Sequence, residues 1–167
     1  MRLFVAVQFA PKVKEVLQNV ISDLREQTEN GNFTRPENLH LTLAFIGETA
    51  NLAAAKAAID ACGGPCFPLT VSGFGHFGDL YWVGIQKSPP LEDLAAKVQS
   101  ALLDRGFSIE KRTFRPHITV ARQVEAASPL RIQVPKTTMR VGRISLMKSE
   151  RIQGVLTYTE IYGKDLA

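Results

Sequence analysis

The chain is poor in the residues that mark metal centres and disulfide frameworks. Among its 167 residues there are two cysteines, three histidines and one tryptophan. Cys62 and Cys66 lie in a turn rich in glycine and proline, and a structural zinc site there would need two further ligands, of which His76 is the one nearby candidate. We therefore expect two free thiols in a reducing compartment, with no metal and no cofactor.

Long apolar runs are also missing. The N-terminal stretch Met1–Val7 is too short for a signal peptide, and no later stretch is long enough to span a bilayer. The composition, 45% hydrophobic and 22% charged, is typical of a globular protein that buries a sizeable core. We expect one bilobal domain over residues 1–167, monomeric, cytoplasmic and without a membrane partner.

The net charge of +4 is distributed unevenly along the chain. Residues 1–110 carry nine Lys/Arg and twelve Asp/Glu, whereas residues 111–151 carry ten Lys/Arg and only two acidic residues. The second segment therefore has a net charge of +8. Such a basic segment suits a polyanionic ligand such as nucleic acid, although an ordinary solvated surface has the same composition.

A strand–helix–strand pattern occurs twice in the sequence. The first copy has an apolar strand at 3–9, a helix opened by Pro11, a polar turn at 29–32, and a strand at 39–46 preceded by Arg35-Pro36. The second has a strand at 81–85, a helix opened by Pro89 and Pro90, and a strand at 117–122 preceded by Arg115-Pro116. The spacing from Phe4 to His40 equals that from Tyr81 to His117, at 36 residues. The repeat units are thus about 1–48 and 79–124.

The remaining segments complete the predicted fold. They are an alanine-rich helix at about Leu52–Ala61, an extended stretch at Phe67–Gly73, and strands at Leu130–Val134, Thr138–Leu146 and Val155–Tyr162. A helix between two strands usually returns the second strand beside the first. The sequence therefore predicts an α+β protein of two pseudo-symmetric lobes, with antiparallel sheets facing a central cleft and helices outside. A cleft between lobes is the natural binding site.

Each repeat carries a His-x-Thr motif in its second strand. Residues two apart in a strand share a face, so His40 lies beside Thr42 and His117 beside Thr119. Histidine accepts or donates a proton near neutral pH, and two hydroxyls suit the nonbridging oxygens of a phosphate. A structural histidine bonded to a threonine is the alternative, but two of three histidines carry this motif in matching positions of the repeat. The pattern favours acid–base opening of a cyclic phosphodiester.

The two motifs also resemble a known family. The stretches Asn38–Gly47 (NLHLTLAFIG) and Phe114–Arg122 (FRPHITVAR) are similar to the paired motifs of the 2H phosphoesterases, most of all the bacterial RNA 2′,3′-cyclic phosphodiesterases, also called 2′-5′ RNA ligases. The resemblance implies metal-free hydrolysis of RNA 2′,3′-cyclic phosphate ends, tRNA fragments among the substrates, to 2′-phosphates. It also implies that His40 protonates the leaving 3′-oxygen and His117 activates water. Residue chemistry alone leaves these two roles interchangeable.

Three arginines and an aromatic residue are further candidates for substrate contacts. Arg122 matches the family, but strict alternation places it on the far face from His117, so a phosphate contact requires a bulge. Arg35 and Arg115 precede the motif strands and are candidates for contacts with a backbone phosphate, with solvated surface arginines as the alternative. The aromatic residues, predicted mostly for the core, include one candidate for stacking on the terminal base; they are Phe9, Phe45, Phe74, Phe77 and Trp82.

Three other functions fit the same sequence. The first is joining of RNA ends through a 2′-5′ linkage, which is the same reaction in reverse. The second is a non-catalytic protein that binds RNA ends through the basic segment, although binding does not require a matched acid and base. The third is a phosphodiesterase for a small cyclic nucleotide or an ADP-ribose cyclic phosphate, which the motifs do not distinguish from an RNA enzyme.

Overall fold

A computed structural model describes residues 1–110 and 113–167, and within them the chain forms three helices and nine strands. The helices are α1 (Pro11–Gln27), α2 (Leu52–Asp60) and α3 (Pro89–Asp104). The strands are β1 (Arg2–Val7), β2 (Asn30–Phe33), β3 (Leu41–Glu48), β4 (Phe67–Phe77), β5 (Leu80–Ile85), β6 (His117–Glu125), β7 (Thr137–Val141), β8 (Arg143–Ile152) and β9 (Val155–Asp165). A short 3-10 turn, Pro36–Asn38, precedes β3.

The strands form two antiparallel sheets, as the sequence predicts. The first sheet has the order β3-β1-β8-β9 and the second the order β2-β6-β5-β4-β7. In each repeat the second strand returns beside the first, since β1 pairs with β3 and β5 pairs with β6. The two motif strands, β3 and β6, therefore belong to different sheets.

The helices connect the two halves more closely than the repeat suggests. Helix α1 follows β1 of the first sheet but packs against β7, β6 and β2 of the second. Helix α3 follows β5 of the second sheet and packs against β3 of the first. One hydrophobic core consequently includes residues of both sheets and of all three helices. Burial of this shared apolar surface is what holds the two motif strands in a fixed relation.

The predicted helices begin where the sequence places them. Pro11 occupies the first turn of α1, where its missing N–H costs nothing, and the buried residues of α1 recur at helical spacing along one face. In α3, the Ser88 hydroxyl accepts a hydrogen bond from the backbone N–H of Leu91. Gly106, with φ of 87°, lies one residue beyond the C-cap, in the left-handed conformation that favours glycine. In the described part of the chain, none of the helices is long and apolar enough to cross a lipid bilayer.

Three sequence predictions about loops and strands are wrong. The segment Leu130–Val134 is irregular, because the side chain of Gln27 bonds both the N–H and the carbonyl of Arg131 and takes the place of a neighbouring strand. The predicted strand Thr138–Leu146 is divided at Gly142, where the chain leaves the second sheet and enters the first. The polar segment 29–32 is not a turn, because its last three residues belong to β2 and pair with β6.

The equal 36-residue spacing also fails to align the first strands of the repeat. Val7 pairs with Leu41, whereas Val83 pairs with Ile118, so the structural equivalent of Phe4 is one residue before Tyr81. A shift of one residue in a strand turns a side chain to the opposite face. Phe4 accordingly faces the motif side of its sheet, while Tyr81 packs against the main core.

Gly84 tests this packing beside the second motif. A Cβ atom at Gly84 would lie 2.6 Å from the backbone carbonyl oxygen of Ser72, which cannot rotate away. We expect Gly84→Ala to lower the free energy of unfolding by about 1–3 kcal/mol, measured by urea denaturation. Gly63→Ala is the matched control, since a Cβ there would meet nothing within 4 Å. Equal urea midpoints for the two variants would contradict the close approach at Gly84.

Candidate active site

Both motif histidines are held by the backbone in the same way. The Nδ1 atom of His40 lies 2.7 Å from the carbonyl oxygen of Asn38, and Nδ1 of His117 lies 2.7 Å from the carbonyl oxygen of Arg115. A carbonyl oxygen only accepts hydrogen bonds, so Nδ1 carries the proton in each ring. In the neutral form, Nε2 of each ring is therefore the basic nitrogen.

The His40 side of the site is enclosed by aromatic rings. Nε2 of His40 lies 2.9 Å from the Thr42 hydroxyl, as the two-residue spacing predicts. The imidazole packs against Phe4, with ring centroids 4.9 Å apart, and against the edge of Tyr158, at 5.1 Å. Phe4 and Tyr158 belong to a small cluster separate from the main core. His40 is thus half-buried on a rigid apolar floor.

A β-bulge follows the threonine in both motif strands. Val5 and Ala6 on β1 lie opposite Ala44 and Thr42, so Leu43 is an extra residue in β3. In the second sheet, Tyr81 and Trp82 lie opposite Ala121 and Thr119, which makes Val120 the extra residue in β6. Because of the bulge, two consecutive side chains of each strand point into the hydrophobic core. These are Leu43 and Ala44 in β3, and Val120 and Ala121 in β6.

The bulges return the next side chain to the face of the motif. That side chain is Phe45 in β3, where the ring is 66% exposed, and Arg122 in β6, which is also exposed. The alternation that would send Arg122 to the far face is thus broken, as a phosphate contact requires. Where one lobe presents an aromatic ring, the other presents a guanidinium group.

Electrostatics connect the two motif strands. Burial lowers the pKa of His40 from its ordinary value, the hydrogen bond to the Asn38 carbonyl raises it, and the positive charge of Arg122 lowers it further, so that the net shift is downward. Arg122 is on β6, so this coupling crosses from one sheet to the other. Strands β3 and β6 lie against each other in the fold. The β2–β3 connection adds to the contact, because the Thr34 hydroxyl donates to the Thr119 carbonyl.

Asn38 is a functional candidate that the sequence did not single out. Its side chain is 6% exposed and bonds the backbone of β9 twice, donating to the Leu156 carbonyl at 2.9 Å and accepting from the Tyr158 N–H at 3.3 Å. These bonds fix the residue whose own carbonyl holds His40. The sequence shows an asparagine two residues before His40, but neither its burial nor its partners, which are 118 and 120 residues away.

The other candidates lie outside this arrangement or at its margin. Arg35 is exposed and forms an ion pair with Glu37 at 2.8 Å. Arg115 is exposed, and its backbone carbonyl is the group that contacts His117. Both cysteines are free thiols, and among the residues that the structure describes no three side chains of histidine, cysteine, aspartate or glutamate group as metal ligands. His76 stacks on Tyr81, on the other face of the β4–β5 hairpin.

Arg122 gives a test of the coupling between the strands. Removing its positive charge favours the protonated imidazole, so we expect Arg122→Gln to raise the pKa of His40 in an NMR titration of the ring protons. Arg140→Gln removes the same charge from β7, three strands from β6 in the sheet order, and is the control. An unchanged titration of His40 in Arg122→Gln would show that Arg122 lies outside the site.

Comparisons with known proteins agree with this geometry. A sequence model of the 2'-5' RNA ligase superfamily matches residues 13–153. The RNA 2',3'-cyclic phosphodiesterase of Geobacillus stearothermophilus is 32% identical over 136 residues, 75% of this chain and 43% of that protein, so the chain spans less than half of this relative. The enzyme of the same name from Thermotoga maritima is 33% identical over 131 residues, 73% of this chain and 70% of the other.

Solved structures extend the similarity to nearly the full length. The apo crystal structure of Escherichia coli LigT superposes with a TM-score of 0.81 at 28% identity, covering 99% of this chain and 96% of that one. LigT complexed with 3'-AMP superposes with a TM-score of 0.84 at 28% identity, covering 99% and 97%. These likenesses extend over both sheets and both motif strands. The chain belongs to the 2'-5' RNA ligase superfamily.

Proposed function

We propose that the chain is an RNA 2′,3′-cyclic phosphodiesterase that works without a metal and leaves a 2′-phosphate. The observation that carries the proposal is the pair of imidazoles, one on each sheet, each with Nδ1 bound to a carbonyl and Nε2 available for proton transfer. Relatives named for this activity support it at 32% and 33% identity. RNA ends, tRNA fragments among them, are the proposed substrates.

The proposed reaction needs one base and one acid. His117 takes a proton from water through Nε2, and the water oxygen attacks phosphorus. As the new P–O bond forms, the bond from phosphorus to the ribose O3′ breaks. The His40 imidazolium gives its Nε2 proton to O3′, leaving the phosphate on O2′. One proton enters the protein at His117 and one leaves from His40, so the site is reset by exchange with solvent.

The lowered pKa of His40 has a consequence for this role. An empty cleft favours the neutral ring, to which the Thr42 hydroxyl donates at Nε2. A bound phosphate brings negative charge, which favours the imidazolium and raises the pKa again. Once Nε2 is protonated, the Thr42 hydroxyl is released to donate to a nonbridging oxygen. Substrate binding thus prepares both the acid and the hydroxyl.

Other residues of the cleft complete the proposed substrate site. Thr119 occupies the position equivalent to Thr42 and supplies a second hydroxyl for the phosphate. Arg122, on the same face, supplies a positive charge for its oxygens. Phe45 is the proposed stacking surface for the terminal base, since its exposed ring lies 6.2 Å from Phe4 on the His40 side. Arg35 and Arg115 are proposed contacts for phosphates further along the RNA.

Substitution of the histidines tests the reaction. We expect His40→Ala and His117→Ala each to lower kcat/KM on an oligonucleotide ending in a 2′,3′-cyclic phosphate by roughly 10²- to 10⁴-fold. His76→Ala is the control, because that imidazole faces away from the cleft. Near-normal turnover by either motif variant would refute the proposal.

Thr42 and Thr119 have a smaller expected effect. Each supplies one hydrogen bond to the phosphate, so replacement by alanine should cost roughly 10²-fold in kcat/KM, provided that circular dichroism shows an intact fold. Replacement by serine keeps the hydroxyl and should restore most of the activity. A serine variant as slow as the alanine variant would indicate that the threonine acts through packing of its methyl group and not through its hydroxyl.

Chelation and end-group identity test the remaining features. We expect EDTA to leave hydrolysis unchanged and the product to carry a 2′-monoester, identified by mass spectrometry and by its resistance to a 3′-specific phosphatase. Loss of activity that a divalent metal restores would direct attention to Cys62, Cys66 and His76.

Alternative substrates distinguish the other candidate functions. A small cyclic nucleotide and an ADP-ribose cyclic phosphate, assayed in parallel, distinguish the alternative phosphodiesterases. Tight RNA binding without turnover would indicate an RNA-end binding protein.

A further inference from the structure

The cleft face of the second sheet carries two aromatic rings that hydrolysis does not require. Trp82 lies opposite Thr119, so its indole shares the face of the His-x-Thr motif. Gly75 lies opposite Trp82, and Phe77, two residues further along β4, faces the same way. The Phe77 ring lies 5.5 Å from the His117 imidazole, nearly perpendicular to it, and 5.4 Å from the Trp82 ring. Phe77 and Trp82 are called here the aromatic wall.

Within the aromatic wall the Trp82 indole lies against the sheet, because glycines lie beneath it, and the Phe77 ring is tilted by 45° to the indole. A Cβ atom at Gly75 would lie 2.4 Å from the Trp82 indole, and one at Gly84 would lie 3.4 Å from it. The indole therefore rests along the sheet where two side chains are missing. Its Nε1 is buried with no hydrogen-bond partner among the described residues, so packing alone holds the ring. An exposed aromatic face such as that of Phe77 is suited to stacking a nucleobase, whatever its identity.

Phe77 differs from the other aromatic residues of the same hairpin. Phe74 and Tyr81 stack on each other with centroids 5.6 Å apart and pack against the main core from the opposite face. Phe77 is 47% exposed at the end of β4, although it borders a polar imidazole. The exposed Phe77 ring therefore adds apolar surface next to the His117 imidazole, where a bound base would contact it.

The cleft therefore presents an exposed phenyl ring on each side. Phe45 lies on the His40 side and Phe77 on the His117 side. A substrate with one terminal cyclic phosphate has one nucleoside at the reacting end, and Phe45 is the proposed stacking surface for its base. The base of that nucleoside leaves the Phe77 ring without an assigned partner.

The direction of attack indicates what the second ring binds. The entering oxygen and the leaving O3′ lie on opposite sides of phosphorus in an in-line displacement. With His40 serving the leaving oxygen, the entering group comes from the side of His117, next to Phe77. Water has no base to stack, whereas a nucleoside with a free 5′-hydroxyl does.

We propose that the aromatic wall is a second base subsite, which stacks the nucleoside whose 5′-hydroxyl replaces water as the nucleophile. This inference rests on the proposed function. The 5′-oxygen gives its proton to His117 and forms a bond to phosphorus, the bond from phosphorus to O3′ breaks, and His40 protonates O3′. The product is a 2′-5′-linked strand, and no other reactant is consumed. The subsite therefore takes an RNA end with a 5′-hydroxyl.

The test measures two products in one reaction. A cyclic-phosphate oligonucleotide labelled at its 5′ end is incubated with increasing concentrations of a second oligonucleotide that has a 5′-hydroxyl. The ratio of joined strand to 2′-phosphate end is then read from a gel. This ratio does not depend on how well the first strand binds or how well the histidines function, because both products share those steps.

We expect Phe77→Ala to lower this ratio roughly 10-fold at subsaturating acceptor, the loss typical of one base–aromatic stack. Phe77→Tyr, which keeps the ring, should retain the ratio. Phe45→Ala is the matched control, because loss of the first stacking surface slows both products and leaves their ratio in place. A Phe77→Ala ratio equal to that of the parent protein would overturn the inference.

Two results in the parent protein separate this inference from the proposed function. Hydrolysis without any joined strand, and without inhibition by the acceptor, would overturn the second subsite and leave the phosphodiesterase intact. Failure of hydrolysis itself would overturn the proposed function. Equal loss of both products in Phe77→Ala would indicate that the Phe77 ring supports His117 or contacts the cyclic-phosphate strand. That result would also contradict the second subsite.

Discussion

The arrangement of the site depends on one hydrogen bond made twice, from Nδ1 of each motif histidine to the backbone carbonyl two residues before it. Both bonds are 2.7 Å long. Because the acceptor is a backbone carbonyl, the bond fixes the tautomer and the orientation of the ring together, and it does so without a carboxylate partner. In His40, Nε2 then lies beside the Thr42 hydroxyl. The carbonyl before His40 is itself immobilised, since buried Asn38 is bound to β9.

The repeat gives two similar half-sites, and substitutions within it make them different. The bulge at the same position in β3 and β6 turns Phe45 and Arg122 to the face that carries the motif. The carbonyl of bulged Leu43 is satisfied by the Gln99 amide from α3, and that of Val120 by the Thr34 N–H, so neither bulge leaves its carbonyl unpaired. His40 lies on an aromatic floor with a lowered pKa, and a guanidinium group lies across from it. This asymmetry gives the two imidazoles distinct surroundings.

Much of the fold follows from local patterns. The apolar period of α1 and the prolines that open α1 and α3 are short-range features, and both helices begin at those prolines as predicted. The errors occur where distant residues decide. The side chain of Gln27, 104 residues away, bonds the backbone of Arg131, so Arg131 does not join a sheet. The apolar run that contains Gly142 is divided between two sheets at that glycine. Neither event has a signature in the segment itself, because the competing partner lies elsewhere in the chain.

The candidate site divides in the same way. Two His-x-Thr motifs in strand context were enough to put imidazole and hydroxyl on one face, since alternation is a property of the strand backbone. The bulges, the exchange of α1 and α3 between sheets, the contact of Asn38 with β9 and the placement of Phe77 beside His117 were decided by the tertiary structure alone. Each of these depends on pairing or packing between segments far apart in sequence, and the free energy of such contacts is set by the whole fold rather than by the residues next to the motif.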